Sequence, residues 1–202
     1  AMATPVMTAR GPEFRQVMAG LNSGLRYAFN LSPSKPEMKT QSWTGEDGYR
    51  VVVVSGSGTA AMEMVIANRF RSNDLVLVPT NGKFGERVAD ICRQFCNVKH
   101  LNYEWGRSFD LYELEQQLER GCYEALLICH NETSTGITQD AEAIAEMCER
   151  HGVSFILDGI TSVGGMPVHP AKWKAEAVVM GAQKCTACLL YTSDAADESR
   201  GG

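Results

Sequence analysis

The sequence predicts an α/β protein built on a mostly parallel sheet with helices on both faces. Three observations predict it. Short apolar runs rich in Val, Leu and Ile recur along the chain, stretches with a helical apolar period separate them, and polar or glycine-containing turns bound both. Parallel neighbours need a crossover between them, and a helix supplies it, so both faces are covered and the strands are apolar on both sides.

Taken in order, residues 1–10 carry no clear period. Pro12-Glu13-Phe14 opens a helix, because Phe14, Val17, Leu21, Leu25 and Phe29 recur at steps of three and four. The stretch 30–48 is rich in turn formers and reads as a loop. Arg50 to Val54 is a β-branched run and is expected as the first strand, followed by a helix over Thr59 to Arg69. Strands at Leu75 to Pro79, Val98 to Tyr103, Ala125 to His130 and Ser154 to Asp158 then alternate with helices. Those helices span Gly85 to Phe95, Leu111 to Glu119 and Ala141 to His151, and Ala177 to Gly181 is the last strand.

The 202 residues, 44% hydrophobic and 21% charged, suit one domain with a sizeable core, or one domain plus part of another. A net charge of -5 with scattered Lys and Arg argues against nucleic acid or an anionic membrane as the main partner. No apolar run reaches the roughly 18 residues of a membrane span. Seven cysteines make an odd set, and a reducing cytoplasm is the expected setting. Cys92 and Cys96 share a helical face, but no clustered histidines complete a zinc site, so no metal is expected.

In a parallel sheet ligands sit beyond the carboxyl ends of the strands, so the residues after each strand carry the functional information. Ser55-Gly56-Ser57-Gly58-Thr59 leads into a helix, where small residues admit a ligand and free N–H groups attract phosphate. A tight turn needing glycine for sterics alone explains the same residues. A dinucleotide loop is a further alternative, although the spacing is not G-x-G-x-x-G and no acid ends the next strand. Asp158, at the tip of an apolar strand, reads either as a capping or solvated acid or as a carboxylate facing a cationic ring nitrogen. Lys184 follows the last strand, and a lysine there is either solvated or poised to form a Schiff base. Asn81-Gly82-Lys83-Phe84 offers an aromatic ring between glycines, and His130 to Gly136 offers a cluster of hydrogen-bonding side chains. A phosphate loop, an aromatic platform, hydroxyls, an acid and a lysine on one edge suit one ligand, pyridoxal 5'-phosphate.

The motifs PEF, SGSGTAAME, NGKFGER, HNETSTG, LDGITSVGG and GAQK, in this order, resemble the class V aminotransferases of fold type I, closest to the alanine–glyoxylate and serine–pyruvate type. The Asp158-to-Lys184 spacing matches as well. The resemblance implies the large domain of a fold type I pyridoxal-phosphate transferase, here incomplete. It implies that Lys184 is the Schiff-base lysine and the base that moves the substrate proton, and that Asp158 keeps the ring nitrogen protonated. Ser57, Gly58 and Thr59 would hold the phosphate with Gln183 beside it. Phe84 would stack on the ring, Ile160 would pack on its other face, and Thr133 would hydrogen-bond its phenolic oxygen. The implied reaction is transamination of a small amino acid with a 2-oxo acid, in a protein that is a homodimer when full length.

Cysteine desulfurases share this fold, but they carry His where Gln183 and Phe84 stand here; 2-aminoethylphosphonate transaminases have very similar motifs and stay open as relatives. An α/β module that binds a phosphate compound without catalysis is the non-enzymatic alternative. The expected domains are a helix and loop over 1–48, a cofactor-binding domain over 49–187, and a non-native tail over 188–202. The tail, CLLYTSDAADE onward, resembles the translation of a sequencing adapter. The resemblance also implies a longer protein, with a further small domain carrying the arginine for the substrate carboxylate, so the 202-residue chain alone is expected to be inactive.

Overall fold

The structure is a computed structural model that describes residues 8, 10–33 and 44–186. The tail from Cys188 onward and residues 34–43 of the expected loop lie outside the described residues. The chain forms two compact units, Ala1–Val53 and Val54–Gly202.

In the first unit, helix α1 (Pro12–Ala28) begins on proline and carries Glu13 in its first turn and Arg26 in its last, matching the helix dipole. Its apolar stripe is only partly buried: Phe29 is buried and Phe14 and Leu25 half-buried, but Val17 and Leu21 are 54% and 40% exposed, while the polar Asn22 and Arg26 are the more fully buried side chains. Arg26 explains the inversion. Its guanidinium donates to both carboxylate oxygens of Asp47 at 2.7 Å, to the Tyr49 carbonyl at 2.9 Å and to the Ser32 carbonyl. Such a forked, charge-assisted set repays desolvation that an isolated cation would not. Burial alone would raise the Asp47 carboxyl, but hydrogen bonds from Arg26 and Ser32 outweigh it and bring it down to about 2. Gly45 is required here, since a Cβ at that position would lie 1.8 Å from Arg26 Nη2.

The expected strand Arg50 to Val54 is absent. Only Arg50 is bridged, to Thr44, and Val52, Val53 and Val54 are exposed. A β-branched run has strand propensity, but a strand exists only where a neighbour accepts its ladder bonds, and among the described residues none does.

The second unit is the expected α/β layer structure. Its sheet runs in the order β2-β1-β3-β6-β7, with every neighbouring pair parallel. The strands are β1 (Leu75–Thr80), β2 (Asn97–Asn102), β3 (Ala125–Cys129), β6 (Ser154–Asp158) and β7 (Ala177–Val179). Helix α2 (Gly58–Arg69) precedes β1, and between the strands lie α3 (Lys83–Phe95), α4 (Leu111–Arg120) and α5 (Ala141–His151). Successive side chains of a strand alternate between faces. Val76, Val78, Leu127 and Ile156 pack with Met62 and Ile66 of α2 and Val88 and Cys92 of α3 in one buried cluster. Asp110 and Asp140 cap α4 and α5 through backbone N–H groups, and α5 ends on Gly152 at φ 66°, a left-handed stop that glycine adopts without strain.

One element has no counterpart in the sequence reading. A small antiparallel hairpin, β4 (Asn131–Glu132) with β5 (Ile137–Thr138), follows β3. It stands where the chain reverses direction across the sheet: β2 lies on one side of β1 and β3 on the other. That switch point opens a crevice at the carboxyl edge.

Candidate active site

A cavity of about 460 Å³ occupies that edge, a size suited to a small-molecule ligand. It is lined by all nine residues singled out from the sequence: Ser57, Gly58, Thr59, Phe84, Thr133, Asp158, Ile160, Gln183 and Lys184.

Ser57 is the N-cap of α2, its hydroxyl accepting the Ala60 N–H at 3.2 Å, so the loop presents a helix start to the cavity. Gly58 is needed for packing too: a Cβ there would lie 2.5 Å from Cδ1 of Ile160. The steric explanation of this glycine therefore applies, since it lets the first turn of α2 approach the turn after β6.

Asp158 ends β6, in register with Cys129 and Val179 on its two neighbours, and is buried. Its Oδ1 accepts the Ile160 N–H at 3.0 Å. Burial pushes its carboxyl up to about 6, and the charge of Glu132 adds to the rise, while the Ile160 N–H and the Arg87 guanidinium oppose it. A carboxyl in that state is completed by a cation entering the cavity. Lys184 lies in the turn after β7 and is exposed. The following residue anchors this turn, with Cys185 Sγ 3.3 Å from the Thr161 carbonyl oxygen. Cys129 also lines the cavity, but burial, first, and the charges of Asp158 and Glu132 push its thiol far up, so it remains protonated and is no nucleophile.

Not every member of HNETSTG lines the cavity. His130 is buried edge-on against Trp173, ring centroids 5.8 Å apart, and burial lowers its pKa to about 4, so it is neutral. Ser134 donates its hydroxyl to Glu132 at 2.6 Å.

Two residues were missed by the sequence reading. Glu132 is fully buried, and its carboxylate accepts the N–H groups of Phe84 at 3.0 Å, Gly85 at 2.8 Å and Ser134 at 3.1 Å. It caps α3, whose N-cap residue Gly82 has no side chain to do so, and a Cβ at Gly82 would lie 2.4 Å from Glu132 Cγ. The sequence signal was an acid inside a hydroxyl-rich turn, opposite a glycine-bounded helix start. Arg87 lines the cavity one turn after Phe84; its guanidinium lies 5.0 Å from the Phe84 ring centroid and donates to Thr59 Oγ1 at 3.2 Å.

Comparison with known proteins decides the family. The family model of class V aminotransferases matches residues 30–195. The chain belongs to the class V aminotransferases. This aminotransferase chain is 30% identical over 185 residues to (S)-ureidoglycine–glyoxylate transaminase of Bacillus subtilis (strain 168), covering 91% of the chain and 41% of that protein. It is 29% identical over 173 residues to alanine–glyoxylate aminotransferase of Rattus norvegicus, covering 85% of the chain and 38% of that protein. The crystal structure of an alanine–glyoxylate aminotransferase from Nostoc sp. superposes with a TM-score of 0.80 at 32% identity, covering 93% of the chain and 46% of that structure. The aminotransferase chain thus spans less than half the length of these relatives. Its architecture is that of the fold type I enzymes, and the family uses pyridoxal 5'-phosphate. The cavity fits that group: a helix start for an anion, a half-buried aromatic ring, a buried carboxyl with no ion pair among the described residues, and a primary amine all line it.

Proposed function

We propose that this chain is the cofactor-binding part of a transaminase that exchanges an amino group between a small amino acid and a 2-oxo acid, of the alanine or serine with glyoxylate or pyruvate type. The observation that carries this reading is the pairing of a buried carboxyl, Asp158, with a primary amine, Lys184, in one cavity at the carboxyl edge of a parallel sheet. Both glyoxylate-named relatives support the choice of acceptor.

When bound, pyridoxal 5'-phosphate supplies a carbonyl carbon for amine exchange and a ring that withdraws electrons from the substrate's α-carbon. The chain's residues do the rest. Lys184 Nζ attaches the cofactor and carries the proton taken from the substrate Cα. Asp158 holds a proton at the ring nitrogen, since its carboxylate is stabilised only against a cation. Ser57, Gly58 and Thr59 take the phosphate at the start of α2, with Gln183 beside them. Phe84 and Ile160 would pack against the ring, and Thr133 would donate to its phenolic oxygen.

The test is a half-reaction screen of the full-length enzyme with alanine, serine, aspartate and 2-aminoethylphosphonate, following the cofactor's visible absorbance. Alanine or serine should discharge it. Lys184→Ala should abolish both the band and the turnover while leaving the unfolding midpoint unchanged. Discharge by 2-aminoethylphosphonate alone would move the assignment to that substrate. The proposal includes a cytoplasmic homodimer. The six free cysteines among the described residues suit a reducing compartment, and light scattering tests the dimer.

A further inference from the structure

We propose that Arg87 is the cationic partner of the cofactor's phosphate group, an assignment that rests on the transaminase reading above. Three independent features converge on it: the reach of the side chain, the charge balance of the cavity and the hydrogen-bond polarity of Thr59.

Reach comes from helix geometry. Phe84 and Arg87 are three residues apart on α3 and so share a face. The guanidinium lies 5.0 Å from the Phe84 ring centroid and places Nη1 3.2 Å from Thr59 Oγ1. It therefore spans the gap between the aromatic platform and the first turn of α2. A phosphate seated on the Thr59 hydroxyl falls within reach of the same guanidinium.

Charge balance points the same way. A phosphate monoester brings about −1.5 to −2 charges at neutral pH. The start of α2 offers only about half a positive charge, and Ser57, Gly58, Thr59 and Gln183 are neutral. Lys184, the other basic side chain lining the cavity, would be taken up by the cofactor's aldehyde in the reading above. Arg87 forms no ion pair with a carboxylate among the described residues, and its fork carries five N–H donors, of which one is on Thr59. The remaining donors match phosphate oxygens.

Thr59 completes the assignment. Its oxygen accepts from Arg87, so its single hydroxyl hydrogen is left to donate. Arg87 thus orients Thr59 as a donor toward an anion while offering its own N–H groups beside it.

The experiment compares two probes, pyridoxal 5'-phosphate and pyridoxal, titrated into the full-length apo-enzyme and read by visible absorbance and quenching of intrinsic fluorescence. Arg87→Gln should raise the dissociation constant for pyridoxal 5'-phosphate roughly tenfold or more and leave that for pyridoxal unchanged. Arg87→Lys should recover most of the loss, because an ammonium still supplies a point charge. Added salt should narrow the gap between wild type and Arg87→Gln, since Arg87 is exposed.

Unchanged affinity for pyridoxal 5'-phosphate in Arg87→Gln overturns the proposal. Equal weakening of both probes also overturns it, because Arg87 then serves only the Phe84 platform. A raised KM for the amino donor with both cofactor affinities intact overturns it too, in favour of a substrate-carboxylate site. If the wild-type enzyme takes up neither probe, the transaminase reading falls and takes this one with it.

Discussion

Glu132 holds Phe84 in place: its buried carboxylate accepts the Phe84 N–H at 3.0 Å and the adjoining Gly85 N–H at 2.8 Å. The acid that caps α3 comes from β4, so the loop after β1 and the hairpin after β3 are fastened at one point. Glu132→Ala would strand buried N–H groups at a helix start and should destabilise the protein by about 3 kcal/mol, while Glu132→Gln, which keeps an acceptor, should cost about 1 kcal/mol. Urea unfolding measures both. An alanine variant as stable as wild type would remove Glu132 as the anchor of this edge.

The Gly58–Ile160 approach predicts a compensating pair. Gly58→Ala puts a methyl group 2.5 Å from Ile160 Cδ1 and should cost about 1–3 kcal/mol through overpacking. Ile160→Val deletes the nearest obstructing atom, Cδ1, and leaves Cγ1 at 2.9 Å. The double variant should therefore be more stable than the sum of the two single losses allows, with a coupling of about 1 kcal/mol in a double-mutant cycle. Simple additivity would show that the backbone relaxes and that the close approach constrains nothing.

Asp158 predicts a pH dependence with a definite sign. Burial raises its folded-state value from the ordinary 3.8 to about 6, so the native state binds more protons than the unfolded chain across that window. Ligand-free protein should lose stability as pH rises from about 4 to about 6, by an amount on the order of 3 kcal/mol relative to Asp158→Asn, which has no such window. Bound cofactor should flatten the slope, because a protonated ring nitrogen compensates the carboxylate. Unfolding curves at pH 4 and pH 7 for both proteins measure it. A wild type that gains stability on Asp158→Asn over this window would mean that the carboxylate already has a cation.

How much of this was legible in the sequence depends on the range over which each feature is decided. Strands such as Ala125–Cys129 and helices such as Leu111–Arg120 are set by their own apolar period and caps, and they were readable within a residue or two. The residues after the strands were readable because a parallel sheet delivers its strand ends to one edge. Arg50 to Val54 was misread, because strand formation depends on a neighbour and not on propensity. The burial of Arg26 was not legible for a related reason: it is drawn inward by Asp47 and Tyr49, partners supplied from beyond the helix. Glu132 and Arg87 were missed because their partners, Phe84 and Thr59, are brought near only by the fold.

The cavity draws Ser57 from one end of the second unit and Lys184 from the other, with Phe84, Thr133 and Asp158 spaced between. A site so dispersed along the polypeptide has a kinetic history. Contacts of long sequence separation form slowly, because chain entropy is lost before they reward it. During synthesis the strands for Phe84 and Thr133 can pair while the segment bearing Lys184 is still inside the ribosome. The complete cavity lining therefore requires β7 to be docked, because Gln183 and Lys184 follow it. Bound cofactor would then stabilise that docked arrangement by mass action.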